Sequence, residues 1–310
     1  MGIKINRLFA GLMLIGLIGL AGCSADQTSN NASDNASDNA SDKASVGSTG
    51  EASQLKLYVF QCGEIDFPSI AAFGVDDVET PVRRLVVPCY VIDHPKGSLL
   101  WDGGLPFSMA EPAGWQTDPE SGIRARLQQT VKDKLLGLDL GFDLSSIDYA
   151  AFSHIHYDHV GAANDLTNAT WLVQRGDYDA LMAGGGSVPA VDPSLFSEIK
   201  NRPTQVLDGD FDVFGDGRVQ LVSAPGHTPG HQVLYLELAD FGPLVLSGDL
   251  YHFRLSRAQR RVPVFNVDSA QTLTSMDKVE ALVANSGATF WIEHDAQLFE
   301  TLTLAPGFYQ

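Results

Sequence analysis

Three histidines and an aspartate fall within the six positions His154 to His159 of the stretch SHIHYDHVGA, residues 153–162. Imidazole nitrogens and carboxylate oxygens are zinc ligands, with Zn–N distances of about 2.0–2.1 Å, and a catalytic zinc keeps one position open for water. In extended chain, residues two apart point the same way, so His154 and His156 can grip one metal. Where the chain then turns, Asp158 and His159 project in a new direction and can hold a second ion. A lone His-x-His is weak evidence, because buried histidines often only hydrogen-bond. Three histidines and an aspartate in one turn exceed what packing requires.

Downstream, APGHTPGH places His227 in a Pro/Gly turn after a strand, LVLSGDL delivers Asp249 at a strand end, and FWIEHD delivers His294 in the same way. Each alone reads as a turn residue or a capping carboxylate. Together they make seven candidate ligands at strand exits, where α/β proteins build their sites.

The strands that must carry these residues are expected at 55–60, 85–93, 98–102, 148–152, 170–174, 218–223, 232–238, 243–247 and 289–292, broken by Gly, Pro and Asp turns. Their apolar runs lack strict alternation, which points to sheets buried on both faces and covered by helices. In GIRARLQQTVKDKLLG, Ile123, Leu127, Val131 and Leu135 recur every four residues and predict a helix. In DSAQTLTSMDKVEALVANSG, Leu273, Met276, Leu282 and Val283 form another stripe, with Asp268 as N-cap and Gly287 past the end. The stretch from Met182 to Pro203 carries GGG and three prolines without regular patterning. It reads equally as a lid over a site or as a surface excursion.

The front of the chain sets the compartment. Lys4 and Arg7 precede the apolar run LFAGLMLIGLIGLAG, which ends at Cys23. Basic n-region, short h-region and small residues describe a secretory signal peptide over residues 1–22. LAGC resembles a bacterial lipobox, which makes Cys23 the lipidated first residue of an exported lipoprotein. Asp26 does not immediately follow that cysteine, and by resemblance to lipoprotein sorting this favours the outer membrane. The repeat NASDNASDNASDKAS lies in a polar tract, residues 23–53, that cannot bury enough surface to fold and reads as a solvated tether. Residues 54–310 are then one α/β catalytic domain.

The chain carries 20 basic and 38 acidic residues, a net charge of −18. Such a surface repels phosphate backbones, which excludes nucleic acid as a partner. Contact with a membrane is expected only through the lipid anchor. Cys62 and Cys89 sit in apolar strand-like runs; buried free thiols and a disulfide both fit, and the pairing is open.

The ligand set resembles the metallo-β-lactamase superfamily, a four-layer αββα sandwich with a dinuclear site at one edge of its sheets. The match runs from about residue 54 to 299 and includes Asp102 of LLWDGG. The resemblance implies that His154, His156 and His227 hold one metal, that Asp158, His159 and His294 hold the other, and that Asp249 bridges them. His94, in the turn DHPKG, reads as a surface residue, and His231 as a support of the PGHTPGH turn. An all-imidazole pair at His154 and His156 favours two zinc ions over oxygen-binding iron, although other divalent metals fit such ligands.

Within this superfamily the chain is most similar to N-acyl-homoserine lactone lactonases. LVQRGDYDAL, LVSAPGHTPGHQVLYLE and FNVDSAQTLTSMDKVEALV leading into FWIEHD carry the likeness, with LKLYVFQCG and VVPCYVID. The bridging Asp249 disfavours an antibiotic-hydrolysing branch, and the 61 residues after it leave no room for a glutathione-binding helical domain. The implied reaction is ring opening of a small neutral lactone by a hydroxide shared between two zincs, with Asp158 shuttling the proton. One departure stands out. The family has Asp-x-x-Tyr after the bridge, where this chain has Asp249-Leu250-Tyr251-His252. Adjacent residues diverge, so His252 is expected to be the carbonyl or oxyanion donor, with Tyr251 packing alongside. The alternatives are a hydrolase of organophosphates, aryl esters or β-lactams on the same site, and a metal-holding lipoprotein without catalysis. Acyl-chain preference and oligomeric state, a dimer included, stay open.

Overall fold

A computed structural model describes residues 54–111 and 114–310. Signal peptide, Cys23 and tether lie outside the described residues. Among the described residues, thirteen strands form two sheets. In the first, β1 (Lys56–Asp66), β2 (Arg84–His94), β3 (Gly97–Trp101), β4 (Gln116–Thr117), β5 (Arg124–Arg126), β6 (Tyr149–Ala151), β7 (Thr170–Gln174) and β8 (Thr204–Leu207) run in the order β4-β5-β1-β2-β3-β6-β7-β8. In the second, β9 (Phe211–Asp212), β10 (Val219–Ser223), β11 (Gln232–Leu238), β12 (Gly242–Leu246) and β13 (Thr289–Trp291) run β13-β12-β11-β10-β9. From β3 through β8 the pairing is parallel, as is β12 with β13; the other pairs are antiparallel.

Both sheets are buried on both faces, and the side-chain period of two sorts their residues. Leu57, Val59, Ile92, Leu99 and Trp101 of the first sheet meet Leu221, Leu234, Leu236, Leu244 and Leu246 of the second in a central core. The alternate residues Tyr58, Phe60, Val91 and Leu100 face outward against α1 (Val131–Leu138) and α2 (Arg175–Met182). Val222, Val233 and Val245 face outward against Met276 and Val279 of α4 (Ser269–Ser286). Helix, sheet, sheet, helix is the expected four-layer αββα arrangement. No described helix is long and apolar enough to cross a membrane.

The second predicted helix has the limits its caps specify. Asp268 accepts from the Gln271 amide, and Gly287 closes α4 at φ 69°, a left-handed value that glycine adopts without strain. The first is shorter than its stripe suggests. Residues 124–126 are strand β5, pairing Arg126 with Glu64 and Arg124 with Asp66, and both pairs also form ion pairs. Strand pairing outweighs the four-residue period there, and α1 begins only where Thr130 and Asp133 form a capping box.

Two further expectations are settled. Cys62 and Cys89 are buried and joined as a disulfide between β1 and β2, with Cα atoms 5.7 Å apart. His94 is not a surface residue. Strand β2 extends through it, its ring stacks on Phe214 at 4.1 Å, and its Nε2 lies 2.9 Å from Asp216 Oδ2. Pro95 and Lys96 of that turn are exposed, but the His94 ring is covered by Phe214 of the loop after β9.

Candidate metal centre

All seven candidate ligands meet at one end of the sandwich. The loop after β6 is shaped by Asp102, at the end of β3: its Oδ1 accepts from the Ser153 amide at 2.6 Å, and its Oδ2 from Ser153 Oγ at 3.0 Å and His159 Nδ1 at 2.7 Å. Gly161 closes the loop. A Cβ there would lie 2.0 Å from the Leu105 carbonyl oxygen, so no other residue fits without moving backbone.

His154 Nε2, His156 Nδ1 and His227 Nε2 converge to within 2.8–3.2 Å of one another. Donors about 2.0–2.1 Å from one tetrahedral zinc stand roughly 3.4 Å apart, so the three nitrogens fit a common ion with small adjustment. Asp158, His159 and His294 form the second group, with Asp158 Oδ2 at 3.8 and 3.9 Å from the two Nε2 atoms. Asp249, buried between the groups, turns one oxygen to each. Oδ2 is 3.1 Å from His227 Nε2 and 3.5 Å from His154 Nε2; Oδ1 is 2.9 Å from His294 Nε2 and 3.4 Å from His159 Nε2.

The outer ring nitrogens fix which lone pairs point inward. His159 Nδ1 faces Asp102, His227 Nδ1 faces Asn266 Oδ1 at 2.9 Å and His294 Nδ1 faces the Val86 carbonyl at 2.7 Å. All three partners accept, so these nitrogens carry the protons and the Nε2 atoms face the centre as ligands do. His159 Nε2 and Asp249 Oδ1 are buried without hydrogen-bond partners. Leaving such atoms unpaired costs about 1–3 kcal/mol each, and a cation between them removes that cost.

The electrostatics also favour a cation. Burial and the neighbouring imidazoles hold His154 and His156 well below the ordinary histidine range, so both are neutral. Burial pushes Asp249 up, but His252, His294, His159 and His154 outweigh it and hold its carboxyl well below the carboxylate range. Burial likewise disfavours charge on His159, yet Asp102, Asp249 and Asp158 hold it well above its usual value. This pole attracts positive charge, and a metal competes there with protons.

His231 underpins the bridge. Its Nε2 accepts from the Asp249 amide at 2.9 Å, while Nδ1 donates to the Ala224 carbonyl at 3.0 Å. The extended backbone at Tyr251 (φ −143°, ψ 135°) sends its side chain away from the ligand groups, where the ring packs near Phe290. His252 faces the site, with Nε2 3.0 Å from Asp249 Oδ2 and its ring against Phe73 and over His294. A cavity opens above the ligands, walled by Ile65, Phe67, Phe73, Leu85, Ile123, Tyr157 and Phe265. Pro189 and Ala190 close one side, so the stretch from Met182 to Pro203 contributes a wall of this cavity.

Sequence reasoning missed three buried polar supports: Asn266, Glu293 and Asp177. Asp177 accepts from Thr228 Oγ1 at 2.8 Å and the Gly230 amide at 2.7 Å, fixing the turn that carries His227. Burial pushes its carboxyl up to about 6. All three lay inside the quoted motifs, but their partners are remote in sequence.

The family profile described as the Metallo-beta-lactamase superfamily matches residues 82–284. The chain belongs to this superfamily. Among metallo-β-lactamase relatives, the N-acyl homoserine lactonase AttM of Rhizobium johnstonii is 30% identical over 271 residues, covering 83% of this chain and 99% of the relative. N-acyl homoserine lactonase AiiA of Bacillus thuringiensis subsp. kurstaki is 27% identical over 260 residues, covering 81% and 97%. The crystal structure of a B. thuringiensis AiiA mutant with N-decanoyl-L-homoserine bound superposes with a TM-score of 0.68 at 24% identity, covering 82% of this chain and 98% of the other. AidC, a dizinc quorum-quenching lactonase in complex with a product, gives 0.59 at 18% identity, covering 83% and 94%. At these identities the structures establish the metallo-β-lactamase fold.

Proposed function

We propose that the protein is a dinuclear zinc hydrolase that opens the lactone ring of N-acyl-homoserine lactones. The observation that carries this reading is Asp249, whose two oxygens each face one of two ligand groups. The names of the relatives supply the substrate class, and the apolar cavity suits an acyl chain attached to a small neutral ring.

Divalent metals bound by His154, His156 and His227, and by Asp158, His159 and His294, with Asp249 between, would acidify water towards pKa about 7 and polarise a carbonyl. The chain's own residues do the rest. The cavity walls hold the acyl chain and exclude bulk water. His252, whose Nε2 lies 3.0 Å from Asp249 Oδ2 in the free protein, would turn that N–H to the carbonyl oxygen as charge develops on it. Water adds to the carbonyl carbon and gives up a proton to the Asp158 carboxylate, the ring C–O bond breaks, Asp158 passes that proton to the departing alkoxide, and the new carboxylic acid ionises to solvent. The product is an N-acyl homoserine with a free carboxylate and hydroxyl; nothing is oxidised or reduced.

Localisation is part of the proposal. LAGC at residues 20–23 supports lipidation of Cys23, and the tether would hold the domain off the membrane, the outer membrane in this reading. Lipid anchoring here rests on the sequence signal alone.

The test is product analysis of metal-loaded protein with short- and long-chain acyl-homoserine lactones, beside a phosphotriester and a cephalosporin. Ring-opened acid that closes again on acidification is the expected product. Turnover of the phosphotriester alone, or two bound metals with no turnover of anything, would sink the lactonase reading.

A further inference from the structure

Glu293 lies beneath the metal centre, 2% exposed, and no step above uses it. Its Oε1 accepts two hydrogen bonds, from Trp101 Nε1 and from the Gly248 amide, each at 2.9 Å. Its own amide donates to Ser247 Oγ at 3.2 Å. Trp101 immediately precedes Asp102, Gly248 precedes Asp249, and Glu293 precedes His294. One carboxylate therefore ties together the three loops that shape the group containing His159 and His294. Asp102 orients His159 through Nδ1, Asp249 turns Oδ1 to that group, and His294 belongs to it.

The other group shares Asp249, whose Oδ2 faces it, but its histidines lean chiefly on other supports. His227 is oriented by Asn266, and His154 Nδ1 lies 3.0 Å from Ser153 Oγ. Asn266 makes no hydrogen bond to Glu293, and Ser153 is linked to it only indirectly, through Asp102.

The placement of Glu293 is costly. Burying a carboxyl without full pairing is unfavourable, and its Oε2 has no hydrogen-bond partner. Two donors on one oxygen offset part of that cost. The strand itself ends at Trp291, so the sheet does not require a carboxyl here.

We propose that Glu293 is a positioning residue that holds chiefly the Asp158–His159–His294 half-site in ligating geometry, the His154–His156–His227 half-site depending on it less. The proposal rests on the two-site reading above but not on the substrate.

The test uses full-length protein and reads metal rather than turnover. Zinc bound per chain is measured by elemental analysis at equilibrium, and stepwise binding is followed by the visible spectrum of cobalt added to metal-free protein. In Glu293→Ala one of the two binding steps should fall by about 10–100-fold, the usual range for losing a support behind a ligand, while the other step moves less. At limiting zinc this variant should retain about one ion where the parent retains about two. Glu293→Gln keeps a carbonyl oxygen for both donors and should restore the lost step. Trp101→Phe removes one donor and leaves Glu293 in place, so a smaller loss confined to the same step is expected even if Glu293→Ala folds poorly. Equal weakening of both steps, unchanged binding in Glu293→Ala and Trp101→Phe, or failure of Glu293→Gln to rescue would overturn the proposal. Ring opening is scored separately, so a failed lactone assay with the asymmetric metal loss intact would count against the substrate alone.

Discussion

Asp102 Oδ2 stands 2.7 Å from His159 Nδ1, and that contact decides which nitrogen of the ring is free to bind a metal. A carboxylate only accepts, so the proton stays on Nδ1 and the Nε2 lone pair faces the site. In Asp102→Asn the amide can present its NH2 instead, which favours the wrong tautomer. Metal affinity of this variant should fall by about 10–100-fold, read by competition with a chromogenic chelator. Unchanged affinity would mean that the ring is oriented by something other than Asp102.

His252 stands where the family has tyrosine and Tyr251 falls one position earlier, and the extended backbone at Tyr251 gives opposite predictions for the pair. His252→Ala should lower kcat for ring opening by about 10²–10³-fold, the range for removing one oxyanion donor. Tyr251→Phe should leave turnover close to that of the parent, because its ring packs behind the site. The reverse pattern would reassign the donor to Tyr251.

Metal removal should lower stability as well as abolish activity. A ligand that binds only the native state at about 100 times its dissociation constant adds about 2.7 kcal/mol. Dialysis against a chelator should lower the melting temperature, and zinc should restore it. A melting temperature indifferent to zinc would argue that the ligand groups do not bind it.

Far from the metals, His94 should shape the acid limb of stability. Burial lowers its pKa, against Asp216, which favours the charged ring; Arg218 and Lys96 nearby also lower it. In the unfolded chain the ring takes up a proton near pH 6.5, while in the folded chain it stays neutral to lower pH. The unfolded state thus binds more protons in this window. Its contribution is complete above about pH 6.5 and is lost as pH falls towards the folded value. His94→Gln should flatten the fall in melting temperature between about pH 6.5 and 5; an equally steep limb would assign it to other groups.

Much of this molecule was legible in local pattern. Strands β7 and β11 have the limits read from their apolar runs, and α4 is delimited by Asp268 and Gly287. Short segments paired across the sheet were not legible. Residues 124–126 carry a helical stripe, yet their partners in β1 lie some sixty residues upstream, as the Glu64–Arg126 pairing shows. The same reason hid the burial of His94, which depends on Phe214, and the supporting roles of Asn266 and Glu293. Ligand identity is written in residue type and spacing, whereas the groups that orient ligands are set by contacts between distant loops.

Both half-sites draw from both sheets. His154, His156, Asp158 and His159 leave the first sheet after β6, whereas His227, Asp249 and His294 leave the second after β10, β12 and β13. A chain emerging in order from its N-terminus displays the histidine-rich turn long before it owns the remaining donors: the first ligand group must wait for His227 and Asp249, and the second for His294. Completion of the centre is thereby made a late event of maturation, a signature that the sandwich has closed, and two separately produced halves should gain tight zinc binding only when mixed.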